Sequence, residues 1–394
     1  MDDPDEPLRI ATRGSRLARR QARTVAGALE DHHYAVELVE VETEGDRIRD
    51  ERIADLGRKG AFVRSLDDRV LDGEVDLAVH SLKDLPTDWP PDLVAAAVPE
   101  RAAPGDVLVT PDGTPLSDLP AGATVGTSST RRRAQVLSAR PDLTVEPLRG
   151  NVDTRVEKLL APHLQAEHQR RLAAADEEPA DATDGGQPTD TADEDQPAEA
   201  ADGDAGGADG TDEPPAEEYD RSPAEWFERL NELERQAMQR EVEETYDAIV
   251  LARAGLDRLG LADAVPVERL PAGEFVPSPG QGAVAVTGRV DDPATEAVRT
   301  ALDHPRTRVE TTAERTVLEA VGGGCVSPIG VYAVVQGTAV HVQAGVYGPD
   351  GDRSVTASRD LPVEEYADAA RDLADDLLAD GADALIEGGD GGAG

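Results

Sequence analysis

Short apolar strands alternate with helical patterns along the first 100 residues of the chain. LRIATRGS reads as a strand that ends in a polar loop, and a helical pattern begins at Ser15. Two further strand patterns, VELVEV and VDLAVHS, are separated by a helical pattern that begins after Gly60. Because strands that are joined through helices usually lie parallel, this order predicts an α/β domain with a mainly parallel sheet.

A second series of the same kind begins near residue 101. DVLVT, ATVGTSSTRRRAQVL, LTVEPLRGNVDTRVEKLL and YDAIVLARAGLDRLGL supply its strands and helices. EFVPSPGQGAVAVTGRVDD then predicts a strand that crosses back into the first sheet. Two such domains leave a cleft between them, where ligands usually bind. The predicted bounds are residues 1–100 with 280–300 for the first domain, and 101–160 with 245–279 for the second.

An acidic segment interrupts the second series. Residues 173–220 contain 18 Asp or Glu residues and no Val, Ile, Leu, Met, Phe, Lys or Arg. A segment of this composition cannot bury enough apolar surface to offset its chain entropy, so it is predicted to be disordered. A single helix is predicted to follow, opened by Ser222 and Pro223. We interpret the whole stretch 161–244 as an insertion.

The sequence pattern of the C-terminal part predicts a smaller α+β domain over residues 304–386, followed by a flexible tail over 387–394. Val309, Ala313 and Val317 mark a helix that ends at the glycine run from Gly322, and a hairpin turns at Gly337. Cys325, the only cysteine, follows the glycines. Two interpretations of it remain open: a small buried apolar side chain, or a covalent attachment point or nucleophile.

Composition excludes several classes of protein. The net charge of −42 argues against nucleic-acid binding, since a phosphate backbone needs a basic surface. One cysteine excludes a disulfide framework and a cysteine-based zinc site, and we expect no metal. The acidic start MDDPDEPLRI and the lack of an apolar run of membrane-spanning length predict a cytoplasmic protein. The 81 acidic residues beside three lysines are typical of extreme halophiles.

Three predicted strand-to-helix junctions carry arginines. Helix N-termini attract anions through free N–H groups, and arginine adds forked hydrogen bonds to carboxylate or phosphate. A single arginine on a helix is usually only solvated, but three equivalent junctions in so acidic a chain indicate a ligand with several anionic groups. The junction residues are Arg13 with Ser15, then Ser129, Arg131 and Arg132, and finally Arg149 and Arg155.

Lys83 and Asp84 directly follow the predicted buried strand VDLAVHS. Asp84 is either a turn residue before Pro86, or a cleft carboxylate that transfers protons or stabilises a cation. Phe62 is more typical of core packing, although its ring is also suited to stacking on a ligand. We interpret His80, within the same strand, as a structural residue.

Taken together, these motifs resemble the porphobilinogen deaminase family, whose members are also called hydroxymethylbilane synthases. The resemblance implies two periplasmic-binding-protein-like α/β domains with a cleft between them, plus a small α+β C-terminal domain. The chain departs from the family in its insertion after Lys158 and at Arg58, where many members carry glycine. The matching segments, in the family's order, are LRIATRGSRLA, GRKGAFVRSL, DLAVHSLKDLPT, VGTSSTRRRAQ, LRGNVDTR, YDAIVLARAGLDRLGL, PGQGAV and GGGCVSPIG.

The same resemblance implies an enzyme of haem biosynthesis that joins four porphobilinogen molecules into linear hydroxymethylbilane and releases ammonia. It implies a dipyrromethane cofactor in thioether linkage to Cys325, a catalytic Asp84, and a lid loop from Thr43 to Lys59. We expect a monomer with no nucleic-acid or membrane partner. The cofactor-binding residues carried over are Lys83, Ser129, Arg131 and Arg132, and the substrate-binding residues are Arg13, Ser15, Phe62, Arg149, Arg155 and Arg258.

Two other functions are compatible with parts of the sequence. A non-catalytic two-domain solute-binding protein for a polycarboxylate has the same cleft, but it needs neither Cys325 nor a third domain. An unrelated enzyme with a cysteine nucleophile needs a base beside the thiol, and none of the seven histidines is tied to Cys325 in the sequence.

Overall fold

The computed structural model describes residues 6–41, 61–177, 219–324 and 327–390. These ranges contain thirteen strands and eleven α-helices. The strands are β1 (Leu8–Arg13), β2 (Val36–Val41), β3 (Leu77–Ser81), β4 (Leu93–Ala97), β5 (Asp106–Val109), β6 (Thr124–Gly126), β7 (Thr144–Glu146), β8 (Ala248–Ala252), β9 (Val267–Arg269), β10 (Val284–Arg289), β11 (Ile329–Gln336), β12 (Ala339–Tyr347) and β13 (Ser354–Pro362). The helices are α1 (Arg16–Asp31), α2 (Ala61–Leu71), α3 (Thr130–Ala139), α4 (Val152–Glu177), α5 (Pro223–Arg229), α6 (Glu232–Met238), α7 (Arg253–Leu259), α8 (Pro293–Leu302), α9 (Pro305–Ala320), α10 (Tyr366–Ala379) and α11 (Ala382–Asp390).

The first sheet has the strand order β2-β1-β3-β10-β4. β1 pairs in parallel with β2 and β3, whereas β10 runs antiparallel to both β3 and β4. The predicted crossing strand is therefore confirmed, and so is the mainly parallel sheet, because β1, β2, β3 and β4 all run in one direction and β10 alone among the described strands of this sheet is reversed. β10 enters this sheet only after the chain has returned from the second sheet, and it arrives in the reverse direction.

The second sheet has the order β7-β6-β8-β5-β9. β6 pairs in parallel with β7 and β8, and β5 runs antiparallel to β8 and β9. Val107 on β5 and Ile249 on β8 are fully buried in a core that also contains Val156 and Leu159 of helix α4. Both large sheets are thus mixed α/β sheets, and the domain bounds given above remain a prediction.

A three-stranded antiparallel sheet, β11-β12-β13, packs against α9 and α10 in the C-terminal part. The predicted hairpin is confirmed, because β11 and β12 are joined by a turn at Gly337 with φ 62°. The predicted helix end is also confirmed. Gly322, with φ 79°, donates its N–H to Glu319 O, and Gly323 donates to Leu318 O. This pair of bonds is the Schellman arrangement, whose left-handed residue favours glycine.

The ends of the insertion differ from their prediction. Residues 173–177 belong to helix α4, so the prediction of disorder is wrong for them, and the alanine run 173–175 favours this extension. The predicted single helix after Ser222 is two helices, α5 and α6. Leu230 is extended between them, and the Asn231 side chain accepts the Glu234 N–H to cap the second. Residues 178–218 lie outside the described residues.

Both described ends of the insertion pack against the second domain. Leu230, Leu233 and Ala237 are buried in the same core as Val107 and Ile249. The Arg171 guanidinium on α4 lies 4.2 Å from the ring centroid of Tyr219, which follows the acidic stretch. The insertion therefore has a folded base, formed by the end of α4 with α5 and α6, and an acidic stretch over 178–218 whose sequence contains no Val, Ile, Leu, Met or Phe.

Deleting residues 178–218 should leave the melting temperature within about 2 °C of the parent, since long surface insertions are well tolerated thermodynamically. The matched control removes packing from the folded base: Leu233→Ala should lower the free energy of unfolding by about 2–4 kcal/mol. Thermal melting at fixed salt concentration measures both. A deletion variant that melts as far below the parent as Leu233→Ala would show that the acidic stretch is packed.

No helix within the described ranges is long and apolar enough to cross a membrane. Over the same residues, no group of three or more histidine, cysteine or acidic side chains is arranged to hold a metal ion.

Candidate functional site

The segment that carries Asp84 follows strand β3 and forms a short 3-10 turn over Leu82–Asp84. Leu82 and Leu85 are buried on either side of Lys83 and Asp84. The Leu82 N–H donates to Ala283 O at 3.0 Å, which ties the turn to the segment before β10. These anchors leave the Asp84 side chain 58% exposed, with Lys83 Nζ 3.8 Å from its Oδ1. The backbone is held while the carboxylate stays accessible.

Arg131 and Arg132, in the first turn of α3, share one buried carboxylate, that of Asp106 at the start of β5. Arg131 Nη2 donates to Asp106 Oδ2 and Arg132 Nη2 donates to Oδ1, both at 2.8 Å. Burial alone raises the pKa of Asp106, but the two guanidinium groups hold that pKa below its usual range. Two cations and one anion leave a net positive charge in the interior of the second domain.

Arg155 lies on α4, and its Nε donates to Gly150 O at 2.8 Å. The pKa of Arg155 is lowered to about 10, first by burial and then by repulsion from Arg132, while attraction to Asp84 acts in the opposite direction. Arg155 therefore lies within electrostatic range of both Arg132 and Asp84. Asp84 follows a strand of the first sheet, whereas both arginines lie on helices of the second. Arg155 of the second domain thus interacts electrostatically with Asp84 of the first domain.

The two predicted serines lie at helix N-termini, as expected. Ser15 Oγ accepts the Ala18 N–H at 3.2 Å and caps α1. Ser129 Oγ accepts the Arg132 N–H at 3.4 Å and caps α3. Arg13 ends strand β1 and is half-buried. Arg149, also half-buried, immediately precedes Gly150.

The remaining predicted residues are less central in the structure. Arg258 Nη2 donates to Gly282 O at 2.7 Å, and burial lowers the pKa of this arginine. Phe62 lies in the first turn of α2. His80 is buried with its Nε2 2.9 Å from Asp67 Oδ1, as a structural residue should be.

Cys325 and the predicted lid loop from Thr43 to Lys59 lie outside the described residues. The described neighbours of Cys325 contact each other. The Gly324 N–H donates to Ser327 Oγ at 2.8 Å, and the Ser327 N–H donates to Gly324 O at 3.0 Å. These two hydrogen bonds hold Gly324 and Ser327, the described residues on either side of Cys325, close to each other.

A buried polar network, which sequence reasoning missed, lies where the chain crosses between the sheets. Arg101 donates from Nη1 and Nη2 to Glu314 Oε1 and Oε2 at 2.8 and 3.0 Å. Glu314, on α9, also accepts the Gly280 N–H at 2.7 Å and the Ala333 N–H at 2.8 Å. Burial raises the pKa of Glu314, while Arg101 and the two N–H donors act against this shift. We call Arg101, Gln281, Asp106 and Glu314 the crossover network.

Gln281 connects the crossover network to Arg131 and Arg132, which we call the arginine cluster. Its Nε2 donates to Asp106 Oδ1 at 2.7 Å, and its backbone oxygen accepts Arg101 Nε at 2.7 Å. The partners are far apart in the chain: the residue numbers of Gln281 and Asp106 differ by 175, and those of Arg101 and Glu314 by 213. No local sequence pattern indicates pairs of this kind.

Two family profiles match the chain. The profile described as porphobilinogen deaminase, dipyromethane cofactor binding domain, matches residues 8–175 and 227–297. The profile described as porphobilinogen deaminase, C-terminal domain, matches residues 309–379. The chain belongs to the porphobilinogen deaminase family. The first deaminase profile leaves residues 176–226 unmatched, which agrees with an insertion there.

Relatives support the same membership over nearly the whole chain. A probable porphobilinogen deaminase of Halobacterium salinarum is 54% identical over 387 residues, which are 97% of this chain and 98% of the relative. The porphobilinogen deaminase of Geobacter metallireducens is 34% identical over 381 residues, 96% of this chain and 93% of its own. Among solved structures, the methionine-binding protein MetQ is 10% identical, with a TM-score of 0.34 over 76% of this chain and 90% of its own.

As a member of the porphobilinogen deaminase family, the chain is a transferase of tetrapyrrole biosynthesis with a dipyrromethane-binding domain. The arginine cluster fits that cofactor. Arg131 also donates to Gln135 Oε1 and Val276 O, and Arg132 donates to Val250 O. A guanidinium has five N–H groups, so both arginines keep donors. Within the described residues, the buried Nε of each has no hydrogen-bond partner, and a buried unpaired donor suits an anionic ligand.

Proposed function

We propose that Asp84 is the catalytic carboxylate with which the enzyme joins four porphobilinogen molecules head to tail into hydroxymethylbilane. The observation that carries this proposal is the accessible carboxylate of Asp84 on an anchored turn, 3.8 Å from Lys83 Nζ and within electrostatic range of Arg155 on the second domain. An accessible carboxylate among cations can stabilise the positive charge that develops on the substrate as ammonia leaves. The same carboxylate can accept the proton that each coupled pyrrole must lose.

The surrounding cations bind the carboxylates of cofactor and substrate in this proposal. Each pyrrole carries an acetate and a propionate, so carboxylates accumulate as the chain grows, and guanidinium groups pair with them through two parallel hydrogen bonds. Once bound, the cofactor supplies the pyrrole carbon to which the first substrate is joined. The proposed cofactor-binding residues are Lys83, Ser129, Arg131 and Arg132, with Cys325 as the attachment point, and the proposed substrate-binding residues are Arg13, Ser15, Phe62, Arg149, Arg155 and Arg258.

Intact mass tests the attachment point. The purified enzyme should be heavier than its sequence by two linked pyrroles, and Ehrlich's reagent should colour it. Cys325→Ser should lose the added mass, the colour and the turnover of porphobilinogen, because an alcohol is a much weaker nucleophile than a thiolate. Ser354→Ala, at an exposed position of β13 in the same C-terminal part, is the control and should keep all three. A Cys325→Ser protein that still carried the adduct would place the attachment elsewhere.

Turnover separates this function from the alternative. A non-catalytic solute-binding protein would bind porphobilinogen without releasing ammonia, whereas the proposed enzyme releases one ammonia for each substrate joined.

We also propose a cytoplasmic monomer. The biosynthetic class of the family supports the location, and the net charge of −42, which opposes self-association, supports the monomer. Light scattering after size exclusion at molar salt tests the oligomeric state.

A further inference from the structure

Arg315 on helix α9 contacts the segment that carries Asp84. Its Nη1 donates to Leu82 O at 3.4 Å and to Leu85 O at 3.1 Å, and its Nη2 donates to Pro86 O. One side chain of the C-terminal part thus satisfies three carbonyl groups on both sides of Asp84. Planar, forked donors of this kind fix direction as well as distance, which the single ammonium of lysine does not.

The part of helix α9 that carries Arg315 is itself firmly held. The preceding residue, Glu314, is fully buried and accepts four hydrogen bonds. Two come from Arg101, and one each comes from the Gly280 and Ala333 N–H groups. Gly280 also lies against this segment, since a Cβ at Gly280 would come within 3.3 Å of the Lys83 nitrogen. The segment is therefore held both by the residues before β10 and by the Arg315 side chain.

The Asp84 side chain has little support of its own. Its one ion pair within the described residues is with Lys83 at 3.8 Å, and more than half of its surface is exposed. The position of its carboxylate is consequently set by the backbone from Leu82 to Pro86. A misplacement of about 1 Å in a reacting group can lower a rate on the order of 100-fold.

We propose that Arg315 is a positioning residue for the reaction, which acts by holding the backbone that presents Asp84 to the substrate. The role is distinct from binding, because the three groups to which the guanidinium donates within the described part of the chain are backbone oxygens of the enzyme. Desolvation of this guanidinium lowers its pKa, and Glu319 acts against that shift. The inference rests on the proposed catalytic function of Asp84.

The test is a double-mutant cycle between Arg315→Met and Asp84→Asn in the full-length, cofactor-loaded enzyme. Arg315→Met should lower kcat roughly 10- to 100-fold with KM within about threefold, and Arg315→Lys should retain an intermediate kcat. In the Asp84→Asn background, Arg315→Met should lower kcat by less than about threefold further, because coupled residues are not additive. Intact mass should show normal cofactor loading in every variant.

Arg308→Met is the matched control. Arg308 lies on the same helix and donates to Ala95 O and Ala96 O of the first sheet, so it links the same two parts of the protein away from Asp84. Its loss should leave kcat within about twofold at a comparable change in melting temperature. Amide hydrogen exchange at residues 82–86 should accelerate in Arg315→Met and not in Arg308→Met.

Each outcome is decisive. If Asp84→Asn alone turns over like the parent, the proposed function of Asp84 fails. If Asp84→Asn is impaired but Arg315→Met lowers kcat equally in both backgrounds, the positioning inference fails while the function stands. If Arg315→Met does not fold, the same cycle is run with Arg315→Lys, and the additive result again overturns the inference.

Discussion

Replacing Asp84 with asparagine should lower the turnover of porphobilinogen roughly 100-fold or more, the scale expected for loss of a positioned acid–base group. Asparagine keeps the shape of the side chain but has neither its charge nor its basicity. Asp84→Glu should retain more activity than Asp84→Asn, because it keeps the charge and changes only its position. Steady-state release of product by cofactor-loaded protein, checked by intact mass, measures both variants.

Folding should survive the Asp84→Asn substitution, since the side chain is 58% exposed and a polar isostere there should cost no more than about 1 kcal/mol. Asp88→Asn is the control, because Asp88 is an exposed aspartate in the same connection between β3 and β4. It should turn over like the parent. If folded Asp84→Asn did so too, Asp84 would be a turn residue and the catalytic carboxylate would lie elsewhere.

Replacing Asp106 with asparagine should destabilise the protein by about 3–5 kcal/mol, the cost of breaking a buried ion pair by removal of one partner. Arg131 and Arg132 are 2% and 7% exposed, so neither charge can recover its hydration when the carboxylate is lost. Because the pKa of Asp106 is held below its usual range, this stabilisation is fully present above about pH 4 and disappears only in stronger acid. Denaturant unfolding at neutral pH measures the effect.

A surface pair provides the comparison for Asp106. Asp142 pairs with Arg140 in the same domain, with the Asp142 side chain 41% exposed. Asp142→Asn should leave the free energy of unfolding nearly unchanged, because water already screens this pair. Equal losses in the two variants would mean that Asp106 contributes no more than an ordinary surface carboxylate.

Local patterns were sufficient to predict the elements that carry the site. The helix caps at Ser15 and Ser129, the helix end at Gly322 and the hairpin at Gly337 are each determined by a few neighbouring residues. The direction of β10 is not determined in that way, because the strand pairs with partners from the start of the chain. The sequence therefore predicts the strand, whereas its antiparallel direction depends on the complete chain path.

The same distinction applies to the site. Arginines at helix N-termini indicate an anionic ligand from the sequence alone, and Arg155 does lie within electrostatic range of Arg132 and Asp84. What the sequence could not indicate is that Asp106 neutralises part of the charge of Arg131 and Arg132. Asp106 reads as one end of an apolar strand, and only the packing of α3 against the second sheet brings the three side chains together.

The place of β10 in the first sheet determines when that sheet can be completed during synthesis. Strand β4 ends at Ala97, but β10, its one partner among the described strands, begins only at Val284. While the ribosome makes the residues between them, β3 and β4 each have an open edge where β10 will lie. The part of the chain that is made first is consequently completed late, and a nascent chain that stops before Val284 exposes unpaired strand edges to chaperones and to other chains.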